Sequence, residues 1–166
     1  EAALAPAETP ASAGKSAPPV SPLAPAAFPD LPEVAGVRFA AIEAGVRYRG
    51  RAAVMLAHLA PGTAVAGVFP TSAPRSAPVL WCEARRAAPP VKGAQAILVN
   101  AGNANAFTGD NGRRSVEALA AAVAKTAGVA KSGVWMASTG VIGEPLPHER
   151  IEAKLADLNA ALSPSG

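Results

Sequence analysis

The second half of the chain carries two helical repeats of apolar residues. The first repeat follows the spacing i, i+3, i+4, i+7 and i+11 of an amphipathic helix and contains Val116, Leu119, Ala120, Val123 and Ala127. Asp110 or Asn111 is predicted to cap this helix, and Gly128 to end it. The second repeat predicts a helix after Pro147 with a stripe of Ile151, Leu155, Leu158 and Leu162.

Short apolar runs in the first half predict strands rather than helices. Residues 37–46 read as a strand pair, and residues 52–59 and 63–69 read as a hairpin because Pro61 and Gly62 lie between them. Residues 79–82 are expected to form a brief extended piece.

Continuous apolar residues over 94–100 are typical of a strand buried on both faces. A shorter strand is predicted over 134–137, and each of these strands is followed by a loop and a helix. Two strand-loop-helix units after a strand-rich first half predict an α+β fold, with helices layered on mixed sheets.

Residues 1–27 differ from the rest in composition, because they are nearly all Ala, Pro and Ser. Seven of the 17 prolines fall in the first 30 residues. Such a segment buries too little apolar surface to offset its ordering entropy. We therefore expect a flexible leader over 1–27, without a secretory or mitochondrial signal, and a single catalytic-domain portion over 28–166.

Composition excludes several classes of protein. The 166 residues contain one cysteine, Cys82, so no disulfide framework forms, as suits a reducing cytoplasmic compartment. No apolar run approaches the roughly 18 residues of a membrane span, which predicts a soluble chain. The net charge of +3 is spread thinly and without aromatic interleaving, so nucleic acid is not expected as a partner.

The usual catalytic side chains are sparse. His58 and His148 lie ninety residues apart with nothing at metal-ligand spacing around them, so neither a metal site nor a Ser-His-Asp triad is expected. Cys82 is interpreted as a small buried residue rather than a nucleophile. No phosphate-binding loop or dinucleotide fingerprint is present, so no cofactor is indicated.

Two loops at strand ends carry the candidate chemistry. The first, residues 100–106, contains three asparagines and a glycine that could line a polar pocket, although a turn held by Asn side chains is the favoured interpretation. In the second, residues 138–145, the hydroxyl of Thr139 and the backbone amide of Gly140 could form an oxyanion hole for acyl transfer. An ordinary turn is the alternative there.

Taken together, the motifs of the chain closely resemble the alpha chain of ornithine acetyltransferase, in the glutamate N-acetyltransferase family of arginine biosynthesis. The resemblance covers roughly residues 28–162, and its last two motifs in tandem are specific. Its motifs are Phe28-Pro29-Asp30-Leu31, Ala35-Gly36-Val37-Arg38, Tyr48-Arg49-Gly50-Arg51, Val65-Ala66-Gly67-Val68-Phe69, Ser76-Ala77-Pro78-Val79, the stretch from Asn100 to Gly109, and the stretch from Ser138 to Leu146.

The resemblance implies a precursor that cuts itself between an Ala and a Thr, so that the new N-terminal Thr of a beta chain is the nucleophile. Its free amine can serve as the base, which removes the need for a histidine. Acetyl would pass from N-acetylornithine to the Thr and then to glutamate in a ping-pong reaction, and some members also accept acetyl-CoA. Thr139 and Gly140 match the family's oxyanion pair, and the family's usual assembly is a heterotetramer of two alpha and two beta chains. For Asn103 and Asn105 the resemblance implies no role.

The sequence departs from a complete alpha chain at its end. Family members continue through a Thr-Thr-Asp-Thr segment and a Lys-Gly-Gly-Met-like stretch, and this sequence stops at Gly166 before both. We expect the nucleophile to lie on the beta chain and this chain alone to be inactive. A related self-processing aminopeptidase and a non-catalytic module that binds a small ligand remain the alternatives.

Overall fold

The computed structural model describes residues 22–27 and 32–165 of the chain. The chain divides into two units, Glu1–Asp30 and Leu31–Gly166. In the first unit, residues 22–27 form turns and bends and are exposed. The predicted flexible leader falls mostly outside the described residues, and the division of the chain at residues 27 and 28 stays a prediction.

The second unit is built on a four-stranded mixed sheet. Its strands are β1 (Val37–Ile42), β2 (Val54–Leu59), β3 (Gln95–Asn103) and β4 (Val134–Val141), and they lie side by side in chain order. β1 pairs antiparallel with β2, β2 pairs antiparallel with β3, and β3 pairs parallel with β4. The parallel pair needs a crossover, which a long helix provides.

The described residues form a 3₁₀ turn at Lys131–Gly133 and four helices, α1 (Ala77–Ala87), α2 (Gly109–Ala127), α3 (His148–Glu152) and α4 (Leu155–Ala160). α2 is the crossover between β3 and β4. Its predicted apolar stripe is buried, and Gly128 ends it in the left-handed conformation, with φ 67°. The predicted cap is wrong, because the helix begins at Gly109 after Thr108 and no side chain caps it.

Helix α1 contradicts the extended piece predicted over 79–82. Pro78 occupies the first turn, where its missing N–H costs nothing, and Trp81 and Cys82 face the core. The helix predicted after Pro147 forms as two short pieces, α3 and α4, separated by a turn at residues 153–154. Its stripe is nevertheless retained, because Ile151, Leu155 and Leu158 are all buried.

The strands pair differently from the sequence expectation. Residues 37–46 contain one strand, β1, and its partner is β2 rather than a second strand within that range. Residues 63–69 form no strand, so the predicted hairpin is wrong; β2 lies between β1 and β3 instead. The strand predicted over 94–100 is confirmed as β3, and the α+β class with helices on a mixed sheet is confirmed with it.

One face of the sheet packs against the helices, and the other is open around the row that crosses residues 41, 55, 99 and 137. Further along this second face, Ala57, Leu59 and Gln95 are buried. The core contains Leu56, Leu98 and Met136 from neighbouring strands, packed against the helices. On the opposite face, an apolar row crosses all four strands in register: Ala41, Met55, Val99 and Ala137. The two alanines are exposed and the two larger side chains are only half-buried. Within the described residues, no helix is long and apolar enough to cross a membrane.

Candidate active site

Thr139 and Gly140 lie on strand β4 rather than in the loop predicted from residue 138. The strand continues to Val141 because the parallel pairing with β3 persists through Ala101 opposite Thr139 and Gly102 opposite Gly140. Both candidate residues are therefore held by a sheet edge and not by a turn. The expected strand over 134–137 is correct in place but four residues too short.

Gly140 packs directly against the backbone of β3. Its φ is 132°, which L side chains rarely adopt. A β-carbon at this position would lie 2.6 Å from the backbone nitrogen of Asn103 and 2.7 Å from the carbonyl oxygen of Gly102. Glycine is therefore required here both by the conformation and by the close approach of the two strands.

The outer edge of β4 is capped over its first half by side chains of α1. Trp81 Nε1 donates to the carbonyl of Val134 at 2.7 Å. Cys82 Sγ accepts from the N–H of Met136 at 3.3 Å and donates to the carbonyl of the same residue at 3.2 Å. The backbone groups of residues 134 and 136 thus point away from β3.

The same alternation places the backbone N–H of Gly140 at this outer edge. Successive residues of a strand direct their backbone groups to opposite sides, so residue 140 shares the outward direction of 136. Val141 agrees with this assignment, because its carbonyl accepts from the N–H of Ala104 at 2.9 Å on the β3 side. Within the described residues no strand pairs with β4 at its outer edge.

Thr139 projects from the open face of the sheet. It lies in the row next to Val99 and Ala137, beside Ala101, and its side chain is exposed. Its hydroxyl makes no hydrogen bond with any described residue. Together with the outward amide of Gly140, it gives two adjacent donors that the described part of the chain does not use.

The three asparagines of the first loop hold the loop itself. Asn100 accepts from Ser138 Oγ at 2.6 Å and donates to the carbonyl of Asn103 at 2.9 Å. Asn103 accepts from the N–H of Asn105 at 2.7 Å and donates to the carbonyl of Glu144 at 3.0 Å, which links the two candidate loops. The Asn side-chain bonds of the favoured interpretation are present, but the predicted turn starts too early, because β3 continues through Asn100 to Asn103.

Asn105 is the centre of this network. It is fully buried, with φ 47°, and its Nδ2 donates to Ser115 Oγ at 3.0 Å and to the carbonyl of Gly112 at 3.3 Å. Thr108 Oγ1 donates to its Oδ1 at 2.9 Å. Because these groups satisfy each other, the side chain of Asn105 has no donor left for a ligand.

Other chemically capable side chains lie apart from Thr139. His58 lies on β2 and His148 at the start of α3. Burial raises the pKa of the Cys82 thiol, and the smaller opposing effect of its hydrogen bond with the Met136 backbone lowers it. Cys82 is thus a neutral edge cap, as its interpretation as a buried residue implies. Among the described residues, no three His, Cys, Asp or Glu side chains are grouped to hold a metal.

Sequence reasoning missed two features of this region. It gave Trp81 and Cys82 no role at the β4 edge, because they were assigned to an extended piece. It included Gly102 in the first loop but did not predict that the backbone of Gly102, which has φ 109°, lies against Gly140. A glycine in each loop indicates that the backbone can approach another segment closely. That the two glycines lie opposite each other follows only from the parallel register of β3 and β4.

Comparison with known proteins identifies the class of protein. A sequence model of the ArgJ family matches residues 38–165. Similar proteins include the arginine biosynthesis bifunctional protein ArgJ of Ruegeria pomeroyi, 63% identical over 145 residues and 87% of this chain. That of Nitrobacter winogradskyi is 51% identical over 146 residues, again 87% of this chain. The chain belongs to the ArgJ family, and it spans about a third, 35%, of the length of these two relatives.

Two solved structures share the fold. The structure of ornithine acetyltransferase complexed with ornithine from Mycobacterium tuberculosis is 32% identical, with a TM-score of 0.71 over 78% of this chain and 69% of that one. The ArgJ structure from Bacillus halodurans is 31% identical, with a TM-score of 0.65 over 74% of this chain and 62% of that one.

Proposed function

We propose that this chain is the alpha chain of a glutamate N-acetyltransferase that moves acetyl from N-acetylornithine to glutamate in arginine biosynthesis. Its membership of the ArgJ family supports the reaction, and the names of its relatives and of one solved structure refer to arginine biosynthesis and to ornithine acetyltransferase. In this proposal the chain supplies the oxyanion hole, and a partner beta chain supplies the nucleophilic Thr.

The observation that carries the proposal is the pair of unused donors at Thr139 and Gly140. An oxyanion hole needs fixed donors aimed at a carbonyl oxygen that becomes negatively charged. Thr139 offers an exposed hydroxyl without a partner among the described residues, and Gly140 offers an N–H at the edge of β4 that no described strand pairs with. The close packing of Gly140 on Gly102 supports a rigid site, because neither strand can shift toward the other.

A partner chain is supported by the open face of the sheet. The row Ala41, Met55, Val99 and Ala137 is apolar but is not covered by the helices. A sheet buries one face against another layer when a domain is complete. We assign this face to the beta chain, which would bring its N-terminal Thr to the side of the sheet from which Thr139 projects.

In the proposed reaction, the Thr hydroxyl of the beta chain attacks the acetyl carbonyl carbon of N-acetylornithine while its own amine takes the proton. The carbonyl oxygen becomes an oxyanion held by Thr139 and Gly140. The C–N bond breaks, the ornithine nitrogen takes the proton, and acetyl remains on Thr as an ester. The amine of glutamate then attacks this ester, forms N-acetylglutamate and restores the Thr hydroxyl. The same donors would stabilise the oxyanion of precursor self-cleavage.

Further parts of the proposal concern the whole protein. It would be a cytoplasmic heterotetramer of two alpha and two beta chains, with acetyl-CoA as an additional donor to be tested. The fold would be completed as a self-processing N-terminal-Thr architecture, and the chain alone would be inactive. The family resemblance supports these parts, and the 35% coverage of the relatives is consistent with one chain of a processed precursor.

The deciding experiment is intact mass spectrometry of the protein purified from its full-length gene, before and after incubation with N-acetylornithine. We expect a second chain that begins with Thr and gains one acetyl group. Cleavage without acetylation, accompanied by release of amino acids from peptides, would favour the aminopeptidase. A single chain that is neither cleaved nor acetylated would favour a binding module, which the internally bonded Asn100–Asn105 loop does not support.

A further inference from the structure

The last turn of α1 carries two arginines that have no carboxylate partner among the described residues. Arg85 Cζ lies 4.7 Å from the centre of the Trp81 ring, and Arg86 Cζ lies 5.8 Å from that of the Phe69 ring. The neighbouring cation Lys131, in contrast, is paired with Glu117. Two guanidinium groups are therefore held on aromatic rings with their charges uncompensated by an acidic side chain.

These arginines line a cavity of about 180 Å³. The cavity lies between the end of α1, the segment 63–65 and the start of β4. Its lining includes Arg85, Arg86 and Ser132, and the hydroxyl of the exposed Ser132 makes no hydrogen bond with a described residue. Among the residues that the structure describes, no acidic side chain lines the cavity. Two arginines and a serine thus line a space that is large enough for a small ion.

The walls of the cavity are fixed by buried hydrogen bonds. Gln95 is 3% exposed, and its Nε2 donates to the carbonyl of Thr63 at 2.7 Å. Its Oε1 accepts from Trp135 Nε1 at 2.9 Å. This chain of bonds ties the segment 63–65 to β3 and β4, so the cavity does not depend on a freely moving loop.

Arg85 adds a second indication of a missing acceptor. Its Nε atom is shielded from solvent and has no hydrogen-bond partner in the described part of the chain. Burying a polar group without a partner is costly, and a charged group more so. The cost falls when a negative charge lies next to the guanidinium group. The C-terminal end of α1 provides part of that charge through its carbonyls, but these do not fill the cavity.

We propose that the cavity between Arg85, Arg86 and Ser132 binds a small dianion, either a phosphate group or a dicarboxylate. Two guanidinium groups and a hydroxyl match the oxygens of such an ion, and charge-assisted hydrogen bonds from arginine are among the strongest in proteins. The site lies at the opposite end of β4 from Thr139 and is independent of the proposed acetyl transfer.

The test is isothermal titration of the assembled full-length protein with inorganic phosphate and, separately, with succinate, in sodium chloride of matched ionic strength. We expect saturable binding of at least one of the two, which also identifies the source of the charge. Arg86→Gln and Arg85→Gln should each weaken this binding about tenfold or more. The matched control is Arg114→Gln, because Arg114 is an exposed arginine on α2 that is paired with Asn111 outside the cavity.

Arg86 and Ser132 are exposed, so the variants Arg86→Gln and Ser132→Ala are expected to fold. Circular dichroism checks that they do. Loss of binding in Arg86→Gln with retention in Arg114→Gln supports the site. Absence of any binding by the wild-type protein overturns it, as does equal binding by the wild type and an Arg85→Gln/Arg86→Gln double variant. In that case the two arginines only offset the helix dipole.

Discussion

Gly140 and Gly102 face each other across β4 and β3 so closely that a β-carbon on Gly140 would lie 2.7 Å from the carbonyl oxygen of Gly102. Real β-carbons are not found so near a backbone atom, so the strands would have to separate. This contact fixes the strand edge next to Thr139. Both positions have positive φ, 132° and 109°, and they form the last pair but one of the parallel register.

Gly140→Ala is therefore expected to destabilise the protein by about 2–4 kcal/mol, because the new methyl group would meet the backbone of Gly102 and Asn103 and the conformation is strained. Gly143→Ala is the matched control. Gly143 also has positive φ, 86°, but nothing lies within 4 Å of its added β-carbon. The control should lose only about 1 kcal/mol from backbone strain. Urea unfolding of both variants measures the difference, and equal losses would show that the contact with Gly102 is unimportant.

Thr139→Ala should lower the rate of acetyl transfer by about 10²–10³-fold if the hydroxyl is an oxyanion donor. The free energy of unfolding should change little, because the side chain is exposed and makes no hydrogen bond with a described residue. Thr139→Ser keeps the hydroxyl and should retain most of the rate. Precursor cleavage and acetyl transfer must be timed separately, since both would use the same donor. A folded Thr139→Ala protein with the wild-type transfer rate would exclude this role.

The sequence predicted the elements whose signals are local. The helix α2 and its end at Gly128 follow from periodicity and from one glycine, and strand β3 follows from a continuous apolar run. Helix α1 was missed because Val79–Cys82 is too short to show a period, although Pro78 is a helix-start signal. The pairing of β2 with β1 rather than with residues 63–69 depends on contacts distant in sequence, which apolar runs alone do not encode.

The candidate site was found only in part from its residues. Thr139 and Gly140 were first weak candidates on chemistry, and the family resemblance made them specific. Their placement at an unpaired strand edge follows from the parallel register and from the capping of Met136 by Cys82, and neither can be inferred from spacing. The Asn loop was correctly interpreted as structural, because asparagine readily bonds to nearby backbone groups.

Asn105→Ala should destabilise the protein by about 2–4 kcal/mol. The substitution removes the hydrogen bonds of the buried Asn105 side chain with Ser115, Thr108 and the carbonyl of Gly112, and it puts alanine at positive φ. Asn111→Ala is the matched control, because Asn111 is exposed in the first turn of α2 and should change stability by less than about 0.5 kcal/mol. Thermal unfolding measures the stability of both variants. If Asn105→Ala loses no more stability than Asn111→Ala, the hydrogen bonds of Asn105 do not stabilise the protein as we expect.

Cys82 should make stability depend on pH in the alkaline range. Because burial raises the pKa of its thiol in the folded state, the unfolded chain loses this proton first as pH rises. The free energy of unfolding is then unaffected below the ordinary thiol pKa and falls as pH increases above it. Cys82→Ala should remove this dependence and also lower stability by about 1–3 kcal/mol through the loss of the Met136 cap. Urea unfolding of the wild type and of Cys82→Ala at several pH values tests both effects. If the free energy of unfolding depends on pH in the same way in the two proteins, Cys82 is not the source of the pH dependence.

The open face of the sheet gives a last prediction about assembly. Ala137 is exposed in this chain and lies in the apolar row with Val99 and Met55. Ala137→Asp should therefore leave the chain able to fold but abolish copurification of the beta chain, because a carboxylate would be buried without a partner in the interface. Val68→Asp is the matched control, because Val68 is 98% exposed and lies outside this row. Size-exclusion chromatography of both variants, expressed from the full-length gene, shows whether the beta chain elutes together with each of them. If Ala137→Asp retains its partner as Val68→Asp does, another surface of the chain must bind the beta chain.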